Sequence, residues 1–189
     1  MMKKNLHKAF AGLLFAGMLA FVGCNIQPPV RIPELPLAEV QPYFSEAAEV
    51  EAIDTAYYKV KDAEGQLIGT VLLSAPYSTS VKGYNGPTPL IIALDAEDRI
   101  TDVVLLDNNE TPRYAERVAK GGLYDSWDGL SVAEALDKQV DAVTGATFTS
   151  NGVKKSLNVR LQAYQRQLEK DYSAVKPNLW TKLFTPKKR

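Results

Sequence analysis

The sequence predicts an α+β domain: a mainly antiparallel sheet of two or more hairpins, packed with short helices and one long helix. Three observations point there. Two pairs of apolar, β-rich runs are each joined by a short acidic turn. Two short helical signals follow the second pair, one led by Pro112 and one opened by Ser131. Beyond them Val153, Leu157, Leu161, Tyr164 and Leu168 recur at helical spacing, which makes the stretch from Thr149 to Tyr172 the most secure element. Strands first and helices after, with no internal repeat, favour helices segregated against one side of an antiparallel sheet.

Taken in order, residues 1–23 read as an export signal. Lys3, Lys4 and Lys8 form a basic start, and Ala9 to Val22 is an unbroken run of apolar and small residues. That run is short for a bilayer span, which takes about 20 apolar residues. It ends in Phe21-Val22-Gly23-Cys24. This resembles a bacterial lipobox, in which the cysteine becomes the lipid-bearing first residue, although Phe21 replaces the usual aliphatic residue. An uncleaved anchor helix is the other reading. Both readings tether the body to a membrane from outside the cytoplasm. Residues 24–45 carry Pro28, Pro29, Pro33, Pro36 and Pro42, which block regular helix and favour an extended tether.

The folded body is expected over residues 46–172. Ala56 to Lys61 and Gln66 to Leu73 read as one hairpin, turning at Asp62-Ala63-Glu64-Gly65. Leu90 to Leu94 and Ile100 to Leu106 read as a second, joined by Asp95-Ala96-Glu97-Asp98-Arg99. Between the hairpins lies a turn-rich loop, Lys82-Gly83-Tyr84-Asn85-Gly86-Pro87. A short helix is predicted from Thr111 or Pro112 to Lys120, stopped by Gly121-Gly122. Ser131-Val132-Ala133-Glu134 is a capping box opening another. Gln139 to Val143 is read as a strand entering the next turn. Residues 173–189 form a tail with Trp180, Phe184 and a basic end.

Composition narrows the chemistry. Acidic and basic residues number 22 each, but three of the basic ones lie in the first segment, so the body is mildly acidic. That argues against nucleic acid as a partner, which selects a basic face. His7 is the only histidine and Cys24 the only cysteine, both ahead of the body. The body therefore has no imidazole base, no thiol nucleophile, no disulfide and no Cys/His metal site. Redox work in particular would need a borrowed cofactor.

The chain is organised around Asp141-Ala142-Val143-Thr144-Gly145-Ala146-Thr147, which leads at once into the long helix. Gly145 can take backbone angles closed to other residues, and Ala146 adds almost no bulk. Thr147 falls near unpaired amides and the positive end of a helix dipole, where a phosphate is stabilised. The residues alone leave this open beside an ordinary turn in which Thr149 or Ser150 caps the helix.

The stretch resembles the flavin-attachment motif of the FMN-binding domain family, which includes extracytoplasmic flavin subunits of the Rnf complex and of the sodium-pumping NADH:quinone reductase. In that family the last residue of Asp-x-x-(Ser/Thr)-Gly-Ala-(Thr/Ser) carries FMN through a phosphoester bond. A flavin transferase installs it from FAD. Asp141, Thr144, Gly145, Ala146 and Thr147 meet every defined position. The resemblance runs from about Tyr57 to Leu161. Gly83-Tyr84-Asn85-Gly86-Pro87 is similar to the family's Gly-Tyr-x-Gly-Pro loop, and Glu110-Thr111-Pro112 to its Glu-Thr-Pro segment. Arg113 stands where the family usually has glycine.

The resemblance implies covalent FMN on Thr147, flanked by Thr144, Gly145 and Ala146. Tyr84 and Asn85 would supply a ring cover and a hydrogen bond, and Glu110 and Thr111 would flank the ring from another loop. Asp141, whose carboxylate would repel a phosphate, is assigned to recognition by the transferase. The implied function is a membrane-tethered extracytoplasmic electron carrier, lipid-anchored through Cys24. It would exchange electrons with a membrane redox complex or another carrier. Two alternatives are kept: a flavin oxidoreductase subunit reducing a quinone or small organic acceptor, and a non-redox lipoprotein that binds a ligand or a protein.

Overall fold

The computed structural model describes residues 33–175. The export segment, Cys24, Trp180 and Phe184 lie outside them. Five strands form one antiparallel sheet in chain order: β1 (Glu49–Asp54), β2 (Tyr57–Lys61), β3 (Leu67–Leu73), β4 (Leu90–Asp95) and β5 (Ile100–Leu105). The two expected hairpins are β2–β3 and β4–β5. Each turns on an aspartate that holds its own loop, a common role for Asp in turns. Asp62 Oδ1 accepts the amides of Glu64 (3.0 Å) and Gln66 (2.7 Å), and Asp95 Oδ1 those of Glu97 (3.0 Å) and Arg99 (2.8 Å). β1 was not foreseen. It is an edge strand carrying Glu49, Glu51 and Asp54, and its alternate residues Val50 and Ala52 supply only a thin apolar signal.

The sheet is buried on both faces. Along β4, Leu90, Ile92 and Leu94 enter one apolar cluster and Ile91 and Ala93 the other. On the first face lie α2 (Pro112–Lys120), α3 (Val132–Asp137) and α4 (Thr147–Val175), with a 3-10 turn at Tyr124–Trp127. Val118, Trp127, Ala135, Val153, Leu157, Leu161 and Tyr164 are buried there. The second face is covered by the segment before β1. Its α1 (Leu37–Val40) begins just after Pro36, and Val40, Phe44 and Ala47 are buried against Tyr58, Val60 and Val71. The ring of Phe44 occupies the space a Cβ at Gly69 would need.

This corrects the tether expected through Ser45, because in its described part the segment is folded and packed. The physical reason was present in Leu90-Ile91-Ile92-Ala93-Leu94. An uninterrupted apolar strand needs cover on both faces. It also refines the placing of helices on one side, since α1 lies on the other.

The helical readings hold for α2 and α3. Ser131 Oγ accepts the Glu134 amide at 3.4 Å, and Glu134 Oε2 accepts the Ser131 amide at 2.8 Å, which closes the capping box. Gln139 to Val143 is not a strand. It pairs with no ladder, and the Val143 amide donates instead to Ser150 Oγ at 3.1 Å. The long helix starts at Thr147, two residues earlier than expected.

α4 is pinned along its length. Near its start Thr88 Oγ1 and Ser156 Oγ share a hydrogen bond of 3.0 Å. Further on, Arg160 is fully buried; its Nη2 donates to the Ala56 carbonyl at 3.0 Å, and its guanidinium lies 4.7 Å from the centre of the Tyr77 ring. Burial lowers the pKa of Arg160 from its usual value, which the Tyr77 and Asp54 side chains partly oppose. Gln167 donates to Asp54 at the β1–β2 turn. The helix is thereby fixed to the body from Ser156 to Gln167, and its first turn is presented at a defined place.

Candidate functional site

The turn before α4 is built by its own residues. Gly145 has φ +78°, a region open to glycine at no steric cost. The Ala146 amide donates to the Val143 carbonyl at 3.0 Å. Ser150 ties turn to helix, its hydroxyl accepting from the Val143 amide and donating to the Ala146 carbonyl at 2.9 Å. Neither Thr149 nor Ser150 is the helix cap. Both are buried in its first turn. Thr147 is the first helical residue and its side chain is exposed. The amides of Thr147, Phe148 and Thr149 belong to the part of a helix that has no intrahelical acceptor.

Beside this turn the Lys82–Pro87 loop is closed by a β-bridge between its end residues and by Gly83 N donating to Gly86 O at 2.8 Å. Its position is set by Glu110, which is only 6% exposed. Glu110 Oε1 accepts the amides of Asn85 (2.7 Å) and Gly86 (3.1 Å); Oε2 accepts the Tyr84 amide (3.1 Å) and the Thr149 hydroxyl. Asn108 Oδ1 in turn accepts the Glu110 amide at 2.9 Å. One buried carboxylate thus joins the loop to the start of α4, with each oxygen used twice.

Two glycines make the junction possible. A Cβ at Gly152 would come within 2.7 Å of Gly83 Cα, and one at Gly83 within 2.8 Å of Glu110 Oε1. The backbone on the Gly83 side cannot retreat without breaking the Glu110 bonds. Gly152→Ala should therefore lower stability by about 1–3 kcal/mol, as overpacking does, despite alanine's better helix propensity. A lowered urea midpoint at unchanged slope checks this.

The result is an open hollow of about 270 Å³ lined by Tyr84, Tyr114, Gly145, Ala146, Thr147, Phe148 and Thr149. Three rings form its wall. Tyr84 meets Tyr114 edge to face at 4.9 Å between centroids, and Phe148 at 6.4 Å. Tyr84 is 57% and Phe148 68% exposed, unusual for large rings without a partner.

Four of the residues singled out from the sequence therefore meet in one place: Tyr84, Gly145, Ala146 and Thr147. The others do not line the hollow. Glu110, expected to flank a ring, lies beneath the loop with its carboxylate occupied. Asn85 turns its side chain to the Asn109 carbonyl at 2.6 Å. Thr111 stands at the N-terminal end of α2 without capping it through its side chain. Asp141 and Thr144 line a separate groove with Gly121, Leu123, Ser126, Val140, Ala142 and Val143. Tyr114 and Phe148 are wall residues that the sequence reading did not assign. Phe148 was open to inference, because an apolar residue next to Thr147 falls off the stripe made by Val153, Leu157 and Leu161. Tyr114 carried no such signal.

Among the described residues no helix is long and apolar enough to cross a membrane, and no cluster of three His, Cys, Asp or Glu suits a metal ion.

Comparison with known proteins finds several relatives and one family model. Over 141 residues the chain is 26% identical to a subunit of the Na(+)-translocating ferredoxin:NAD(+) oxidoreductase complex of Acetobacterium woodii, covering 69% of this chain and 66% of that protein. Over 128 residues it is 34% identical to a subunit of the ion-translocating oxidoreductase complex of Stutzerimonas stutzeri, covering 58% and 56%. Over 83 residues it is 30% identical to a subunit of the proton-translocating ferredoxin:NAD(+) oxidoreductase complex of Clostridium ljungdahlii, covering 40% and 45%. All three bear the same subunit letter in their respective complexes. The chain spans between about half and two thirds of the length of these curated relatives. The FMN-binding domain family model matches residues 83–162, a span that contains the Tyr84 loop, Glu110, the Gly145 turn and the first half of α4.

Proposed function

We propose that this protein is an extracytoplasmic electron-transfer subunit that carries FMN covalently on Thr147 and serves a membrane redox complex. The observation that carries the reading is the placement of Thr147. Its hydroxyl is exposed at the first residue of a well-anchored helix, at the edge of a hollow walled by aromatic rings. The fit to FMN is chemical. The first-turn amides and the positive end of the α4 dipole would hold a phosphate at Thr147. Tyr84, Tyr114 and Phe148 would hold an isoalloxazine ring, because their flat apolar surfaces favour stacking or edge contact.

The hollow is slightly smaller than the roughly 300–1,000 Å³ of enclosed ligand sites. It would cover part of the cofactor and leave the remainder open to a redox partner, as a carrier requires. When bound, FMN supplies one- and two-electron chemistry that no side chain of this chain supplies. The protein's own part is to hold, shield and orient.

Attachment requires FAD and a flavin transferase. The Thr147 Oγ–P bond forms as the phosphoanhydride of FAD breaks, AMP leaves, and the hydroxyl proton passes to a base on the transferase. Asp141 and Thr144, on the neighbouring groove, are then the residues for the transferase to read, clear of the hollow. The relatives' names place them in ion-translocating oxidoreductase complexes, which supports a complex of that kind as partner here. A lipid anchor on Cys24 would keep the domain at the membrane. Intact-mass and peptide-mass measurement of protein from its native envelope tests the reading. The expected result is an added FMN on the peptide holding Thr147. An unmodified chain purified beside an active transferase would overturn it.

A further inference from the structure

Arg117 occupies the last turn of α2, half-buried, and its guanidinium presses on the turn that presents Thr147. A Cβ at Gly145 would collide with Nη1 and lie 3.3 Å from Cζ. Among the described residues that guanidinium has no ion-pair or hydrogen-bond partner. The acid one residue before it, Glu116, is 3.5 Å from Lys120 instead. A partly desolvated cation without a counter-ion is costly. Gly145 thus has two reasons to be glycine: its φ, and the room it leaves for a cation. Arg113, which stands where the family usually has glycine, is exposed on the first turn of the same helix.

We propose that Arg117 is the positioning cation for the phosphate held at Thr147, donating N–H bonds to its non-bridging oxygens as the ester forms and after. This rests on the reading of Thr147 as the FMN-bearing residue. The chemistry is specific. A phosphodiester keeps one negative charge, and a guanidinium offers a planar pair of donors matched to two oxygens. The first-turn amides of α4 approach from the helix side and Arg117 from the Gly145 side.

The test uses purified unmodified protein, FAD and a flavin transferase, with attachment followed by in-gel flavin fluorescence. Arg117→Gln should attach flavin about ten-fold more slowly, the size of one charge-assisted hydrogen bond, with Arg117→Lys between it and wild type. Loaded Arg117→Gln, recovered after long incubation, should show a displaced phosphorus-31 resonance, which a merely structural role would not produce. Wild-type rates in Arg117→Gln overturn the proposal. So does slowing that only tracks a lowered melting temperature while the phosphorus resonance stays in place. Both leave Thr147 as the attachment residue, whereas a wild-type chain that never gains flavin removes the underlying reading instead.

Discussion

Thr147→Ala, produced alongside an active flavin transferase, is expected to yield a colourless chain of unmodified mass, while wild type carries a flavin that survives denaturation. The loss should be complete, because one oxygen is the whole of the proposed attachment. The fold should not notice. Thr147 is exposed and at the first helical position, so the change should alter stability by no more than about 0.5 kcal/mol. That separation makes the experiment clean: cofactor lost, urea midpoint kept. Neighbouring hydroxyls should not substitute. Thr149 is buried and spends its hydroxyl on Glu110, Ser150 is buried and bonded to the Ala146 carbonyl, and Thr144 lines the other groove. Thr147→Ser keeps the oxygen and should restore attachment. Covalent flavin retained on the Thr147→Ala chain would defeat the assignment.

Glu110→Ala should have the largest effect on the fold. It strands the amides of Tyr84, Asn85 and Gly86 and the hydroxyl of Thr149 around an empty buried space. A buried donor left without its acceptor costs about 1–3 kcal/mol, and several lost together are a large share of the roughly 5–15 kcal/mol that keeps a domain folded. Glu110→Gln is the sharper variant. One amide oxygen can still serve two donors, but the new NH2 group faces the Tyr84 N–H, donor against donor. The cost should be smaller than for alanine, and it should fall on the loop that carries Tyr84. Chemical denaturation measures the first effect. Faster hydrogen exchange at Tyr84 to Gly86, with α4 protected, measures the second. If Glu110→Ala unfolds at the wild-type urea midpoint, the carboxylate is not the junction described here.

Local signals carried far in this chain. The Asp62 and Asp95 turns, the Ser131–Glu134 box and the Val153 to Tyr164 stripe each act over a few residues, so one stretch of sequence contains the whole cause. The Thr144-Gly145-Ala146-Thr147 turn is of the same kind, since φ at Gly145 and the hydroxyl at Thr147 are properties of those residues. Other features were invisible because their cause sits far along the chain. β1 forms because β2 offers an unpaired edge and α1 because a two-faced sheet needs covering, and neither need is written in Glu49–Asp54 or Leu37–Val40.

The sequence by itself determined the hydroxyl, the glycine turn ahead of it, the helix behind it, and the absence from the body of any histidine or cysteine to do redox or nucleophilic work. Only the tertiary structure decided what surrounds that hydroxyl. It sank Glu110 into a junction, brought Tyr114 and Phe148 up as walls, and laid Arg117 against Gly145. A residue's type is local, but its neighbours come from packing between segments tens of residues apart, and the environment of a site is made of neighbours.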